Sequence, residues 1–162
     1  PPACLRVLDP IYDLHYPLLP DEVKNLQQFS DPQRIINADP PAALPAHLFG
    51  TPVTETWCYY FEKADLARQL GDWEQVAKIG TVAFSLNDSP NHATERVPFI
   101  EGYAHVGWWD KAVKLTQEAI EINKFMGPML CDTWQRIEKE MPSSDKINGA
   151  IVEVHQMIEC NP

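Results

Sequence analysis

Apolar residues recur at helical spacing from Thr54 to the C-terminus. In the first run, apolar side chains follow at intervals of three and four, which places them on one helix face: Trp57, Tyr60, Phe61, Ala64 and Ala67. Thr54 precedes this run and is the predicted N-cap. The same spacing predicts five more helices, within residues 73–84, 94–106, 109–125, 130–141 and 147–158.

Glycine and proline mark the boundaries of these helices. Gly71 and Gly107 are predicted to end the first and the third helix. The third helix is expected to begin at Thr94, which puts Pro98 in the first turn, where a missing N–H is tolerated. The fourth helix is expected to run to about Phe125, before Gly127.

Residues 1–53 differ from the rest because they contain ten of the fifteen prolines. Proline interrupts helices and strands, so this part is predicted to be an extended arm that wraps the helical part, residues 54–162. Two stretches of the arm have regular patterns. Residues 4–9 alternate like a short strand, and residues 21–29 place Val23, Leu26 and Phe29 near helical spacing.

Four positions recur with one shared offset of 36 residues. Gly71 pairs with Gly107, Trp73 with Trp109, Val76 with Ala112, and Ala83 with Ala119. A repeat of this length built from two helices predicts an α-α superhelix. Glycine allows the tight turn between the helices, the tryptophan wedges between them, and the small residues let them approach closely.

These features resemble the tetratricopeptide repeat over about 70 residues of the chain. That family has a unit of about 34 residues, with glycine and an aromatic residue at the turn and small residues on the second helix. The chain departs from the pattern at Lys63 and Ala64, where the family prefers leucine and glycine, and in the longer turn at residues 87–91. The last helix pair is expected to act as a degenerate third unit or as a cap. The resemblance implies binding of an extended peptide along the face of the first helices.

A second resemblance covers more of the chain. Five strings are similar to the C-terminal region of large bacterial multi-spanning membrane proteins regarded as glycosyltransferases: CLRVLD (4–9), HLFG (47–50), WCYYFEKA (57–64), GDW (71–73) and PFIEGYA (98–104). The chain also lacks an initiator methionine and is expected to be part of a longer protein. The resemblance implies a membrane-embedded parent, with this domain outside the cytoplasm; a cytoplasmic location is the alternative.

Composition and charge exclude some partners. The chain has 162 residues and a net charge of −10, spread evenly, so nucleic acid is not an expected partner. The four cysteines form no CxxC pair, and free buried thiols are favoured over one disulfide whose pairing stays open. No G-x-S-x-G, P-loop or H-E-x-x-H motif is present, so we expect neither a cofactor nor catalysis by this chain.

Two polar clusters are candidate sites. Glu101 and His105 are four residues apart on one helix and would offer two ligands to a metal ion. Without a third ligand, an ordinary polar pair on a helix surface is the favoured interpretation. The second cluster, at residues 12–16, includes Asp13 and His15 and would suit a cleft. The favoured interpretation is a loop whose aromatic side chains pack onto the helices.

The expected ligand surface uses residues that fall off the apolar helix stripes. These candidate binding residues are Tyr59, Glu62, Asp65, Glu101, His105 and Trp108, with Lys63 beside them. Trp108 would be the best single anchor, because tryptophan is enriched at binding hot spots. The leading hypothesis is a noncatalytic domain that binds a protein or peptide segment. A glycan-contacting accessory domain is the first alternative, and a small metal-dependent enzyme is the second.

Overall fold

The computed structural model describes residues 3–35, 45–51 and 53–160, and in these ranges the chain is all-α, as predicted. The described residues form no strand. Five prolines of the predicted arm (Pro1, Pro2, Pro40, Pro41 and Pro52) lie outside the described ranges. The helices are α1 (Asp21–Lys24), α2 (Ala46–Phe49), α3 (Trp57–Gln69), α4 (Trp73–Ala83), α5 (Val97–His105), α6 (Trp109–Ile122), α7 (Gly127–Glu140) and α8 (Asp145–Met157).

The six long helices pack in chain order. Helix α3 packs on α4, α4 on α5, and α5 on α6, while α8 packs on both α6 and α7. Contacts also join α3 to α5 and α5 to α7. The first helices of the three successive pairs, α3, α5 and α7, therefore form one continuous layer.

The two repeated glycines adopt the same turn. Gly71 and Gly107 have φ angles of 74° and 78°, a left-handed conformation that glycine adopts without steric cost. At each turn the next residue donates its N–H back across the helix end, from Asp72 to the Ala67 carbonyl at 2.9 Å and from Trp108 to the Tyr103 carbonyl at 2.8 Å. This bond pattern satisfies carbonyls at the end of the helix. The prediction that both glycines end helices is confirmed.

Small residues bring α4 and α5 close together. A Cβ atom placed on Gly102 would lie 2.3 Å from Cγ1 of Val76, so no larger residue fits there without displacement. Among the repeated positions, Ala83, Ala112 and Ala119 are fully buried, whereas Trp73 and Trp109 are half-buried. The small residues of the repeat thus lie in the core, while its tryptophans lie at the boundary.

Several predicted boundaries are wrong by a few residues. Thr56 rather than Thr54 caps α3, because its hydroxyl accepts from the Tyr59 N–H. The turn that begins near Thr94 is a 3-10 helix, and α5 begins at Val97, with Pro98 in its first turn as predicted. Helix α6 ends at Ile122, because the side chain of Asn123 caps a separate 3-10 turn. Side-chain caps thus decide two of these boundaries, at Thr56 and at Asn123.

The two patterns in the arm have different outcomes. Residues 4–9 form no strand among the described residues and instead contact α3 through Arg6 and the Val7 carbonyl, as a tail packed on helices would. The predicted helix over residues 21–29 stops after Lys24, and Leu26 and Phe29 are exposed. The buried residue there is Gln27, because its amide donates to the carbonyl of Asp13 at 3.1 Å.

All four cysteines are paired, so the prediction of free thiols is wrong. Cys4 bonds to Cys58 across 54 residues of sequence, and Cys131 bonds to Cys160 across 29. The first disulfide fixes the N-terminal segment to α3, and the second fixes the segment after α8 to α7. Paired cysteines are typical of proteins from oxidising compartments.

Candidate functional site

The N-terminal segment, residues 6–16, lies on the layer formed by α3, α5 and α7. Gln69 on α3 donates to the Val7 carbonyl at 2.6 Å, and Arg136 on α7 donates to the Ile11 carbonyl at 3.3 Å. The hydroxyl of Thr94, just before α5, donates to the hydroxyl of Tyr16. This layer is the face on which the resemblance places a bound peptide, and the chain covers it with its own residues.

A buried network of charges joins this segment to the three helices. Its basic members are Arg6, Arg68 and Arg136, and its acidic members are Asp13, Asp65 and Glu101. Arg6 contacts Asp13 at 2.9 Å, Arg68 contacts Asp65 at 3.3 Å, and Arg136 contacts Glu101 at 2.9 Å. Equal numbers of opposite charges compensate one another, which is the condition for keeping charges away from water.

Tyr12 closes this network from the side of the N-terminal segment. Its ring lies over the guanidinium groups of Arg68 and Arg136, 4.5 and 5.0 Å from the ring centroid. Burial raises the pKa of Tyr12 to about 12, so the hydroxyl stays neutral. Burial would lower the pKa of Arg68, but the carboxylates of Asp65, Glu101 and Asp13 raise it, so that guanidinium stays charged. The favoured interpretation of residues 12–16, a loop packed on the helices, is confirmed.

Two predicted binding residues are not on an open surface. The side chains of Asp65 and Glu101 are buried, and both take part in the charge network. Their expected exposure is wrong, because an acidic residue off an apolar stripe can still face inward when arginines from other segments pair with it.

His105 is also turned away from open solvent. Its imidazole is stacked on the indole of Trp73, and its Nε2 lies 3.3 Å from an Oε2 atom of Glu140. Burial lowers the pKa of His105, although the carboxylates of Glu101 and Glu140 oppose this effect. The Glu101 carboxylate meanwhile faces two arginines, and the described residues contain no group of three potential metal ligands. Glu101 and His105 therefore have other partners than a metal ion.

Tyr59 and Glu62 lie on α3. The ring of Tyr59 packs edge-on against Tyr60, with centroids 5.2 Å apart, and the ammonium of Lys63 lies over it at 4.7 Å. Glu62 is exposed, and partial burial raises the pKa of its carboxyl group. The structure does not bring either residue into a pocket with Trp108.

Trp108 lies beside an open cleft. The side chain is 41% exposed, and the Lys111 ammonium lies 4.1 Å from its ring centroid. The cleft has a volume of about 700 Å³ between the first turns of α6 and α8. Its lining includes Trp108, Trp109, Asp110, Lys111, Asp145, Lys146, Gly149 and Glu153.

Trp108 also borders a second groove. This groove has a volume of about 480 Å³ and runs along α4, past Glu74, Lys78 and Val82. One partly exposed indole thus forms a ridge between two concave surfaces. The residues of α8 that line the cleft were missed in the sequence, because they form only the polar side of a helix expected to act as a cap.

Comparisons with known proteins add no relative. No family model, no curated protein and no solved structure matches the chain. In the described ranges, no helix combines the length and the apolar character needed to cross a bilayer.

Proposed function

We propose that this chain is a noncatalytic, tetratricopeptide-like domain that binds a protein or peptide segment in the cleft beside Trp108. The superhelical assignment is supported by the identical turns at Gly71 and Gly107 and by buried small residues at matching positions. It is also supported by packing of α3 on α5 and of α5 on α7, the contacts expected between successive helix pairs.

The observation that carries the binding proposal is the exposed indole of Trp108 between two grooves. Phe84, Trp108 and Phe125 are the exposed aromatic side chains among the described residues of the helical part, and of these three Trp108 lines both grooves. The layer of first helices is covered by residues 6–16, so a partner must use another face. A tryptophan at a groove supplies a large contact area with little loss of side-chain freedom.

The cleft also indicates the kind of segment that fits. It contains three carboxylates, of Asp110, Asp145 and Glu153, and two ammonium groups, of Lys111 and Lys146. A bound peptide would place an apolar side chain against Trp108 and donate hydrogen bonds to the more numerous carboxylates. No cofactor takes part in this recognition.

The proposed location is outside the cytoplasm, in a larger membrane-associated parent. Two disulfides in a chain of 162 residues support an oxidising compartment. The membrane-embedded parent and its glycosyltransferase activity rest on the resemblance of the five sequence strings alone.

A glycan is the second candidate ligand. Sugars stack on indole faces and donate hydroxyl hydrogen bonds to carboxylates, and Trp108 shares its cleft with Asp110, Asp145 and Glu153. Tyr59, the other aromatic among the candidate binding residues, lies elsewhere on α3 and adds no second stacking ring to this cleft. The peptide therefore stays the leading proposal.

The test is selection of ligands against the oxidised chain. A phage-displayed library of random dodecapeptides is selected on the wild-type protein, and a glycan array is probed in parallel. Enriched peptides should lose about 30-fold in affinity on Trp108→Ala, the change expected for a hot-spot residue worth about 2 kcal/mol. Phe125→Ala is the matched control, because Phe125 is exposed but lies outside the cleft.

Two results would overturn the peptide proposal. One is a selection that enriches no peptide, and the other is a set of binders that respond equally to Trp108→Ala and Phe125→Ala. If only glycans of the array bind, and if Trp108→Ala abolishes that binding, the ligand of the cleft would be a glycan and not a peptide.

A further inference from the structure

Residues 5–8 present their side chains in an unusual order for a segment packed on helices. Leu5 and Val7 are 80% and 38% exposed, whereas the side chain of Arg6 between them is only 6% exposed. Alternate side chains of an extended chain point to opposite faces. The outward face of this segment is therefore apolar, and its inward face is charged.

The backbone of the same segment forms few hydrogen bonds with the rest of the described residues. No described residue accepts a hydrogen bond from the main-chain N–H groups of residues 5–8. In this run the Val7 carbonyl accepts one hydrogen bond, from the side chain of Gln69. The Cys4–Cys58 disulfide and the bond from the Cys4 N–H to Glu95 hold the segment in place. A segment whose side chains alternate in exposure and that is fixed in this way is a template for another strand.

A groove of about 330 Å³ runs beside this segment. Its walls include the apolar side chains of Leu5, Val7, Ile35 and Leu66. The α3 residues Glu62, Asp65 and Gln69 also line it. The exposed carboxylate on this side is that of Glu62, whereas Asp65 is buried and faces Arg68 at 3.3 Å and Arg6 at 3.8 Å.

We propose that residues 5–8 accept an extended segment of a partner polypeptide as an added β-strand, with the pattern apolar, basic, apolar. The two apolar residues of the partner lie beside Leu5 and Val7 on the outward face. The basic residue between them points inward, packs its aliphatic part on Leu66 and directs its charge to the exposed carboxylate of Glu62. Main-chain bonds supply affinity, and the groove supplies selectivity.

A second copy of this chain fits the groove less well. Its own Leu5-Arg6-Val7 has the required pattern, but that Arg6 is already paired with Asp13 at 2.9 Å and lies 3.8 Å from Asp65. Two copies would also bring together two net charges of −10. A separate basic segment meets neither obstacle.

The probe is the capped peptide acetyl-Thr-Val-Lys-Val-Thr-amide, titrated to millimolar concentration into the isotope-labelled, oxidised chain. The amide resonances of residues 5–8 should shift in a saturable way, downfield as their N–H groups become hydrogen-bonded. The matched peptide with glutamate in place of lysine should bind about tenfold more weakly. Trp108→Ala should leave this binding unchanged, which separates it from the cleft of the proposed function.

Glu62→Gln supplies the test on the protein side. Because Glu62 is exposed, the variant is expected to fold, and its spectrum verifies this directly. Its affinity for the lysine peptide should fall about threefold or more, whereas Glu138→Gln, an exposed position on α7, should have no effect. Absent shifts at residues 5–8, or equal binding of both peptides, would overturn the proposal. If the chain self-associates and the amides of residues 5–8 become protected from hydrogen exchange, the added strand would come from a second copy of the chain instead.

Discussion

The guanidinium of Arg136 contacts both carboxylate oxygens of Glu101, with Nε 2.9 Å from Oε1 and Nη2 3.3 Å from Oε2. This pair joins α7 to α5, and Arg68 on α3 lies 3.7 Å from the same carboxylate. Ion pairs thus join α3, α5 and α7, the helix layer on which a helical repeat would bind its ligand. The N-terminal segment completes that network through Arg6 and Asp13.

Removing the charge of Glu101 should destabilise the fold strongly. In Glu101→Gln, the buried Arg68 loses one of its carboxylates, and Arg136 loses the only carboxylate that lies close to it in the described part of the chain. Breaking such a pair costs about 3–5 kcal/mol. Chemical denaturation measures this change. The control is Glu118→Gln, which breaks the more exposed pair with Arg96 and should cost about 0–1 kcal/mol. Equal losses in the two variants would refute the role assigned to the buried network.

The two disulfides should contribute similar stability but protect different parts of the chain. Replacing either pair by serine should cost about 4 kcal/mol in the chain-entropy model, because the closed loops span 54 and 29 residues. Only loss of Cys4–Cys58 should speed amide exchange in residues 3–16, which it fastens to α3. Faster exchange there after loss of Cys131–Cys160 alone would contradict this assignment.

The close approach of α4 and α5 makes Gly102 sensitive to the smallest substitution. Gly102→Ala should cost about 1–3 kcal/mol, because the new methyl group would lie 2.3 Å from Cγ1 of Val76. Gly149→Ala is the control, also within a helix but with nothing within 4 Å, and should stabilise by about 0.5–1 kcal/mol. Thermal unfolding followed by circular dichroism compares the two. A neutral Gly102→Ala would show that the helices do not pack this closely.

His105 should make stability fall as the medium becomes mildly acidic. Burial lowers the pKa of His105 below its ordinary value of 6.5, so below that pH the unfolded chain binds a proton that the folded chain does not. Stability contributed by the neutral imidazole is therefore present at neutral pH and is lost as the pH falls through 6.5 and below.

Denaturation at about pH 7.5 and at about pH 5.5 measures this effect. The wild-type protein should lose more stability between the two values than His105→Gln, which cannot take up the proton. Nuclear magnetic resonance titration of His105 supplies the pKa directly. A pKa above 6.5 in the folded chain would reverse the sign and contradict the prediction.

The repeated helix pairs could be predicted from the sequence because their causes are local. A left-handed turn selects Gly71 and Gly107, and close helix contacts select small residues such as Ala83 and Ala119, so each requirement shows in the residue type at one position. The apolar stripes of the six long helices follow from the same local periodicity.

The covered layer could not be predicted, because its partners are far apart in the chain. Arg6, Glu101 and Arg136 have no sequence pattern that links them, and only the packed helices bring them together. The pairing of the cysteines is of the same kind. In the arm, polar bonds such as that from Gln27 to the Asp13 carbonyl overrule the apolar pattern, so Leu26 and Phe29 face outward.

The candidate surface could be predicted only in part. Trp108 follows a turn glycine, and its place after Gly107 gives a physical reason for its exposure. The α8 side of its cleft depends on how the last helix packs against α6, which no local pattern specifies.

Hydrogen exchange with a selected peptide bound is the most direct test of ligand binding at this cleft. We predict slower amide exchange in the first turns of α6 and α8, at residues 107–113 and 145–153, with residues 3–16 unchanged. Displacement of residues 3–16, together with protection along α3, α5 and α7, would contradict it by showing that a ligand replaces the chain's own segment on the covered layer.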